Sequence, residues 1–215
     1  MPLREALVFF GCLVAAVILH EISHGVVALW FGDDTAKRAG RLTLNPIPHI
    51  DPFGSLVLPA LGVLTGLPVI GFAKPVPVDP RQLRNPRRDM LFVSLAGPIT
   101  NFLLMVGAAL ITRALLRGEG FLGTGIGSEG PDLIVQIAFA FAVVNLFLGL
   151  FNLLPIPPLD GSVLVERVLP ARSLPAWHRF RPYGILVLFV LVLSTNVVSR
   201  ILEPFFDALR DFVVT

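Results

Sequence analysis

The chain has 215 residues, 54% of them hydrophobic and only 15% charged, with a mean hydropathy of +0.79. That is more apolar surface than a soluble core of this size can bury, so a water-soluble globular domain is excluded and the lipid bilayer becomes the expected surroundings. The net charge of +2 and pI near 9.2 come from basic residues gathered between apolar runs, as topology signals are in membrane proteins, so nucleic-acid binding is not inferred from them.

The first apolar run, about 6–31, is long enough to span a bilayer core, which needs ~20 residues of helix. Although Arg4 precedes it, no small-residue cleavage site follows, so it reads as a retained span and not as a signal peptide. The lone Cys12 within it has no disulfide partner in the chain and reads as a small buried apolar residue. Near the end of this run stands HEISH, His20 to His24. Histidines four apart lie one above the other on a helix face, where both imidazoles can converge on one metal, and Glu21 beside the first can reach water at that metal. With 4 His and 6 Glu in the chain, composition alone yields this pattern with a probability of about 0.002. A polar patch that merely joins helices is the plainer reading, but three ionisable groups at membrane depth are costly unless something compensates them. A catalytic zinc needs a third ligand. The extended zincin pattern would require His at 30 and Gly at 27, where this chain has Trp30 and Val27.

After NPIPHIDPFGS comes a second apolar stretch, 53–72, broken by Gly54, Pro59, Gly62, Gly66, Pro68 and Gly71. It reads as a re-entrant segment of short helix and short extended strands that leaves the membrane on the side it entered. His49 before it reads as a hydrogen-bonded loop histidine or a substrate or metal contact. The Pro-rich run 74–88 is an extended basic surface segment. A second span, 90–112, carries AGPITN, in which Gly97 suggests close packing and Asn101 is either a helix–helix hydrogen bond or an active-site contact.

The third span, 132–154, ends in FNLLPIPPLDGS, whose Pro155, Pro157 and Pro158 stop the helix and free the chain to turn Asp160 inward. Trp177 and His178 read as an interfacial anchor ahead of a fourth span, 183–206. The reading is therefore an all-α polytopic membrane protein forming a single domain over 1–215. With four spans, twelve of the 17 basic residues share one side against five on the other; letting 53–72 cross gives ten against seven. The clearer asymmetry puts both termini outside and the basic loops in the cytoplasm of a multi-pass cell-membrane protein.

HEISH in one span together with NLLPIPPLDG at the end of a later one resembles the site-2 protease family of intramembrane metalloproteases. AGPITN and NPIPHIDPFGS are similar to a compact bacterial branch of it. The resemblance covers nearly the whole chain. It implies His20, His24 and Asp160 as ligands of one zinc ion, Glu21 as the catalytic glutamate, Asn152 near the substrate backbone, and a transmembrane protein as substrate. It also implies that irregular chain after the first helix holds substrate as an added strand. About 20 residues join the second and third spans, too few for the PDZ module of some members, and regulation by a nucleotide-sensing module after the last helix is not expected. A metal transporter would need further polar sites along a path, whereas the ionisable groups at membrane depth here meet in one place. An intact HEISH with LDG argues against a catalytically silent scaffold.

Overall fold

The computed structural model describes residues 3–57, 73–117, 133–194 and 196–215. Three helices are long and apolar enough to cross a membrane: α1 (Leu3–Trp30), α3 (Pro86–Leu116) and α4 (Leu133–Asn152). They pack on one another in all three pairings. Shorter helices are α2 (Thr35–Arg38), α5 (Gly161–Val168), α6 (Leu174–Phe180), α7 (Gly184–Ser194) and α8 (Val197–Val214).

Small residues let the three long helices approach. Cys12 and Ala16 of α1 meet Val144 of α4, while Ala108 and Ala109 of α3 meet Ala142 and Leu146 of α4. Helix α3 starts at Pro86, whose fixed φ and missing N–H suit a first helical turn, and α4 stops ahead of the prolines at 155, 157 and 158.

The fourth expected span is not one helix. Residues 184–206 divide between α7, of 11 residues, and the start of α8, with Asn196 standing before Val197 in the non-helical capping position. Asn at this place favours a helix start over a helix interior, which is why an apolar average over 183–206 concealed a break. Helix α8 buries Val198, Leu202, Leu209 and Val213 against the bundle and exposes Arg200, Glu203 and Arg210. Its end lies beside the end of α3: Arg113 Nη1 donates to Phe212 O at 2.5 Å and Arg117 Nη2 to Thr215 O at 2.6 Å.

No strand occurs among the described residues. Of the expected re-entrant segment, 53–57 belong to a π-helical turn, Pro52–Val57, and 58–72 lie outside the described residues. The chain on either side of 58–72 meets at one end of α1. Arg84 N donates to Phe31 O at 3.0 Å, Asp79 N to Asp33 Oδ2 at 2.7 Å and Lys74 N to His49 O at 2.9 Å. The Arg81 backbone N–H, followed by the Gln82 side chain, holds the Asp79 carboxyl below the usual carboxylate range.

Candidate active site

Helix α1 carries His20 and His24 one turn apart on the face turned to α3, and both are buried. The Pro-rich turn after α4 brings Asp160, at the N-terminal cap position of α5, against the same face. His20 Nε2 and His24 Nε2 are 3.0 Å apart, and Asp160 Oδ2 lies 3.2 Å from the first and 3.4 Å from the second. Among the described residues this is the one group of three such side chains arranged to hold a metal.

The protons on the two rings follow from their other contacts. Phe141 O can only accept, so the Asn145 amide nitrogen faces it at 2.8 Å and Asn145 Oδ1 faces Asn101. Asn101 Nδ2 then donates to Asn145 Oδ1 at 2.8 Å, which leaves Asn101 Oδ1 for His20 Nδ1 at 2.5 Å. His20 must carry its proton on Nδ1. His24 Nδ1 likewise donates to Val93 O at 2.6 Å. With both imidazoles in the neutral form a metal ligand requires, their Nε2 atoms present lone pairs to each other and to Asp160 Oδ2, a buried oxygen without a hydrogen-bond donor. In that form three electron-rich atoms face one another, an arrangement that calls for a cation. Ligand atoms about 2.0–2.1 Å from a tetrahedral zinc ion stand ~3.4 Å apart, and the three separations of 3.0, 3.2 and 3.4 Å fit that spacing.

Gly97 makes this packing possible. A Cβ there would strike His20 Cε1 and come within 2.5 Å of His24 Nε2. In the same stretch of α3, Pro98 removes the N–H that Ser94 O would take, and the neighbouring Val93 O accepts from His24 Nδ1.

Glu21 is partly buried beside the pair, and its Oε2 accepts from Val76 N at 2.7 Å. Asn101 is fully buried behind His20. Asn152, half-buried in the last turn of α4, donates Nδ2 to Leu148 O at 2.9 Å. His49 is buried in its 3₁₀ turn with Nε2 on Thr43 O at 3.0 Å and is not part of the convergent group. Sequence reading passed over Asn145. Its signal was present, since an Asn in the apolar run FAVVNLFLG at membrane depth needs a partner.

Membrane-crossing helices around a buried His–His–Asp cluster define a membrane metallopeptidase scaffold. The profile of Peptidase family M50 matches residues 126–195. The chain is 38% identical over 203 residues to Putative zinc metalloprotease YwhC of Bacillus subtilis, covering 94% of this chain and 87% of that one. It is 33% identical over 189 residues to Putative zinc metalloprotease Rip2 of Mycolicibacterium smegmatis, covering 87% and 67%. It is also 24% identical over 162 residues to Zinc metalloprotease MJ0392 of Methanocaldococcus jannaschii, covering 75% and 34%. No solved structure matches. The chain belongs to peptidase family M50, the site-2 protease family, and is a zinc metallopeptidase of the membrane.

Proposed function

We propose that this peptidase is an intramembrane endopeptidase that hydrolyses peptide bonds within or near transmembrane segments of membrane-protein substrates, as in regulated intramembrane proteolysis. His20, His24 and Asp160 hold one zinc ion, and Glu21 is the general base. The observation that carries the reading is the convergence of two histidines on a helix long and apolar enough to cross the membrane with Asp160 from the turn that follows another such helix, with Glu21 one residue from His20.

Bound zinc supplies a Lewis acid that makes water nucleophilic near neutral pH and stabilises negative charge on oxygen. Glu21 takes the proton of the attacking water and returns it to the leaving nitrogen. Asn152, whose amide has a second N–H beyond the one given to Leu148, donates to the substrate backbone. Asn101 acts from behind, fixing the His20 tautomer and ring plane. A helical substrate is internally hydrogen-bonded and unwinds locally before it is cut, so helix-breaking residues are expected near the scissile bond.

Both termini lie outside and the basic loops in the cytoplasm, with 53–72 re-entrant. The contacts between 31–49 and 74–84 support this arrangement, as does the placement of Thr215 at the far end of α3. The fourth crossing is then made by α7 and α8 in sequence.

The test is cleavage of a transmembrane substrate by the purified chain in liposomes. Activity should fall to background with a zinc chelator and return on zinc addition, and a soluble unfolded protein should be cut poorly. Equal cleavage of the soluble protein would remove the intramembrane part of the proposal while leaving a zinc peptidase.

A further inference from the structure

The loop after 58–72 reaches into the site at one atom. Val76 N–H donates to Glu21 Oε2 at 2.7 Å, and Val76 is 7% exposed. Its neighbours Pro75 and Pro77 have no N–H, so Pro75-Val76-Pro77 offers a single backbone donor, and Glu21 receives it. Residues ahead of prolines are pressed into extended conformations, which holds Lys74 and Val76 straight.

Helix α1 is shaped for this approach. At Gly25, directly after HEISH, a Cβ would lie 2.5 Å from Leu42 Cδ2 and 3.0 Å from both Ala36 Cβ and Val76 Cγ1. The missing side chain is what lets the loop seat against the helix within reach of Glu21.

Arg41 grips the loop from its other side. Arg41 as a whole is 6% exposed, and its guanidinium donates Nη1 to Pro48 O and Nη2 to Lys74 O at 2.5 Å and to Pro75 O at 3.1 Å. Among the described residues it has no carboxylate partner. A buried cation served by carbonyl dipoles alone is costly. The contacts show what it faces: Pro75 C=O and Val76 N–H are the two ends of one trans peptide group. Arg41 pulls on the oxygen, and the hydrogen at the opposite side of the same rigid plane points to Glu21. Hydrogen bonds linked in this way polarise one another.

We propose that Arg41 and the Pro75–Val76 peptide group form a positioning device for Glu21, a guanidinium–peptide–carboxylate relay that anchors Oε2 and leaves Oε1 to carry the proton. It rests on the reading of Glu21 as base. Arg41 touches neither substrate nor metal and is a positioning residue. A 1 Å displacement of a catalytic group costs up to about 100-fold in rate, so loss of the anchor should appear in kcat.

The experiment compares full-length Val76→Pro, which deletes the N–H in an already extended setting, with Val76→Ala, which keeps it. Arg41→Met and Arg41→Lys are made alongside, and for each variant kcat, KM, zinc per chain and Tm are measured. The expected result is that Val76→Pro lowers kcat by about 10- to 100-fold with unchanged KM and full zinc, while Val76→Ala stays near the parent. Arg41→Met should follow Val76→Pro, and Arg41→Lys should recover part of the loss. Equal kcat in the two Val76 variants overturns the proposal. So does a loss confined to KM, which would make the loop a substrate-pairing strand, or a loss of zinc in Val76→Pro, which would make it structural support. Glu21→Gln is measured in parallel. Turnover surviving there refutes the base assignment itself, a failure distinct from that of the relay.

Discussion

Glu21 and the three convergent side chains do separable work, and substitution should separate it. Glu21→Gln leaves every proposed ligand atom in place, so the protein should keep one zinc per chain by elemental analysis and lose cleavage of a transmembrane substrate. His24→Ala and Asp160→Ala should lose metal and activity together. Near-normal turnover in Glu21→Gln would contradict the mechanism. One layer back, Asn101→Ala removes the acceptor that fixes His20 and should lower zinc affinity by about 10- to 100-fold, the usual cost of an outer partner of a metal ligand. Asn145→Ala leaves that acceptor in place but frees it to rotate, so its effect should have the same sign and be smaller. Competition for zinc against a calibrated chelator orders the three proteins. The sequence made the side chains that converge legible, because HEISH and LDG are written in residue identity. What it did not carry were partners written in the backbone: Val93 O on His24 and Val76 N–H on Glu21 depend on where α3 and the loop lie, and no residue type announces them.

At the scale of helices, the site depends on how closely α3 crosses α1. The expected spans 6–31, 90–112 and 132–154 became Leu3–Trp30, Pro86–Leu116 and Leu133–Asn152, because each is one uninterrupted apolar helix and hydropathy reads such helices directly. The fourth failed as a single helix because averaging cannot see a change from an apolar helix to an amphipathic one, which is what separates α7 from α8. Crossing distance follows a different logic, set by single small residues. Gly97→Ala adds one methyl group against both imidazoles, and the helices or the rings must give way. That variant should lose most of its zinc and activity while remaining folded by circular dichroism. Gly107→Ala serves as its control, being on the same helix with open space at the Cβ position, and should keep both. If the two variants behave alike, the contact at Gly97 is not what limits the site.

For the molecule as a whole, the order of crossings decides whether the metal site can assemble. In the proposed orientation α1 runs inward and ends at Trp30, six residues past His24, which puts the site ~9 Å from that end of the helix at 1.5 Å per residue. Helix α3 returns, α4 runs inward again, and the turn at 153–160 delivers Asp160 to the depth of the histidines. This holds only if the segment 53–72 leaves the membrane where it entered. One more crossing there would reverse α3 and α4 and carry Asp160 to the opposite face, beyond the reach of a ~2 Å ligand bond. The hydrogen bonds from Arg84 to Phe31 and from Lys74 to His49 tie the chain before that segment to the chain after it, at the same end of α1. In the proposed four-crossing topology, the split of twelve basic residues against five makes that end the cytoplasmic one. The last helix runs back along α3 until Thr215 meets Arg117, which in that topology places the terminus on the outer side. Single cysteines at Lys37, Arg84 and Thr215, in a Cys12→Ser background, test all of this at once with an impermeant thiol reagent. Lys37 and Arg84 are both exposed and should be labelled only from the cytoplasmic side, and Thr215 only from outside. Labelling of Lys37 and Arg84 from opposite sides would make 58–72 a crossing segment and leave Asp160 unable to join His20 and His24. Labelling of Thr215 from the cytoplasm would instead leave the site intact and reduce the protein to three crossings, with α7 and α8 packed on the bundle without traversing the bilayer.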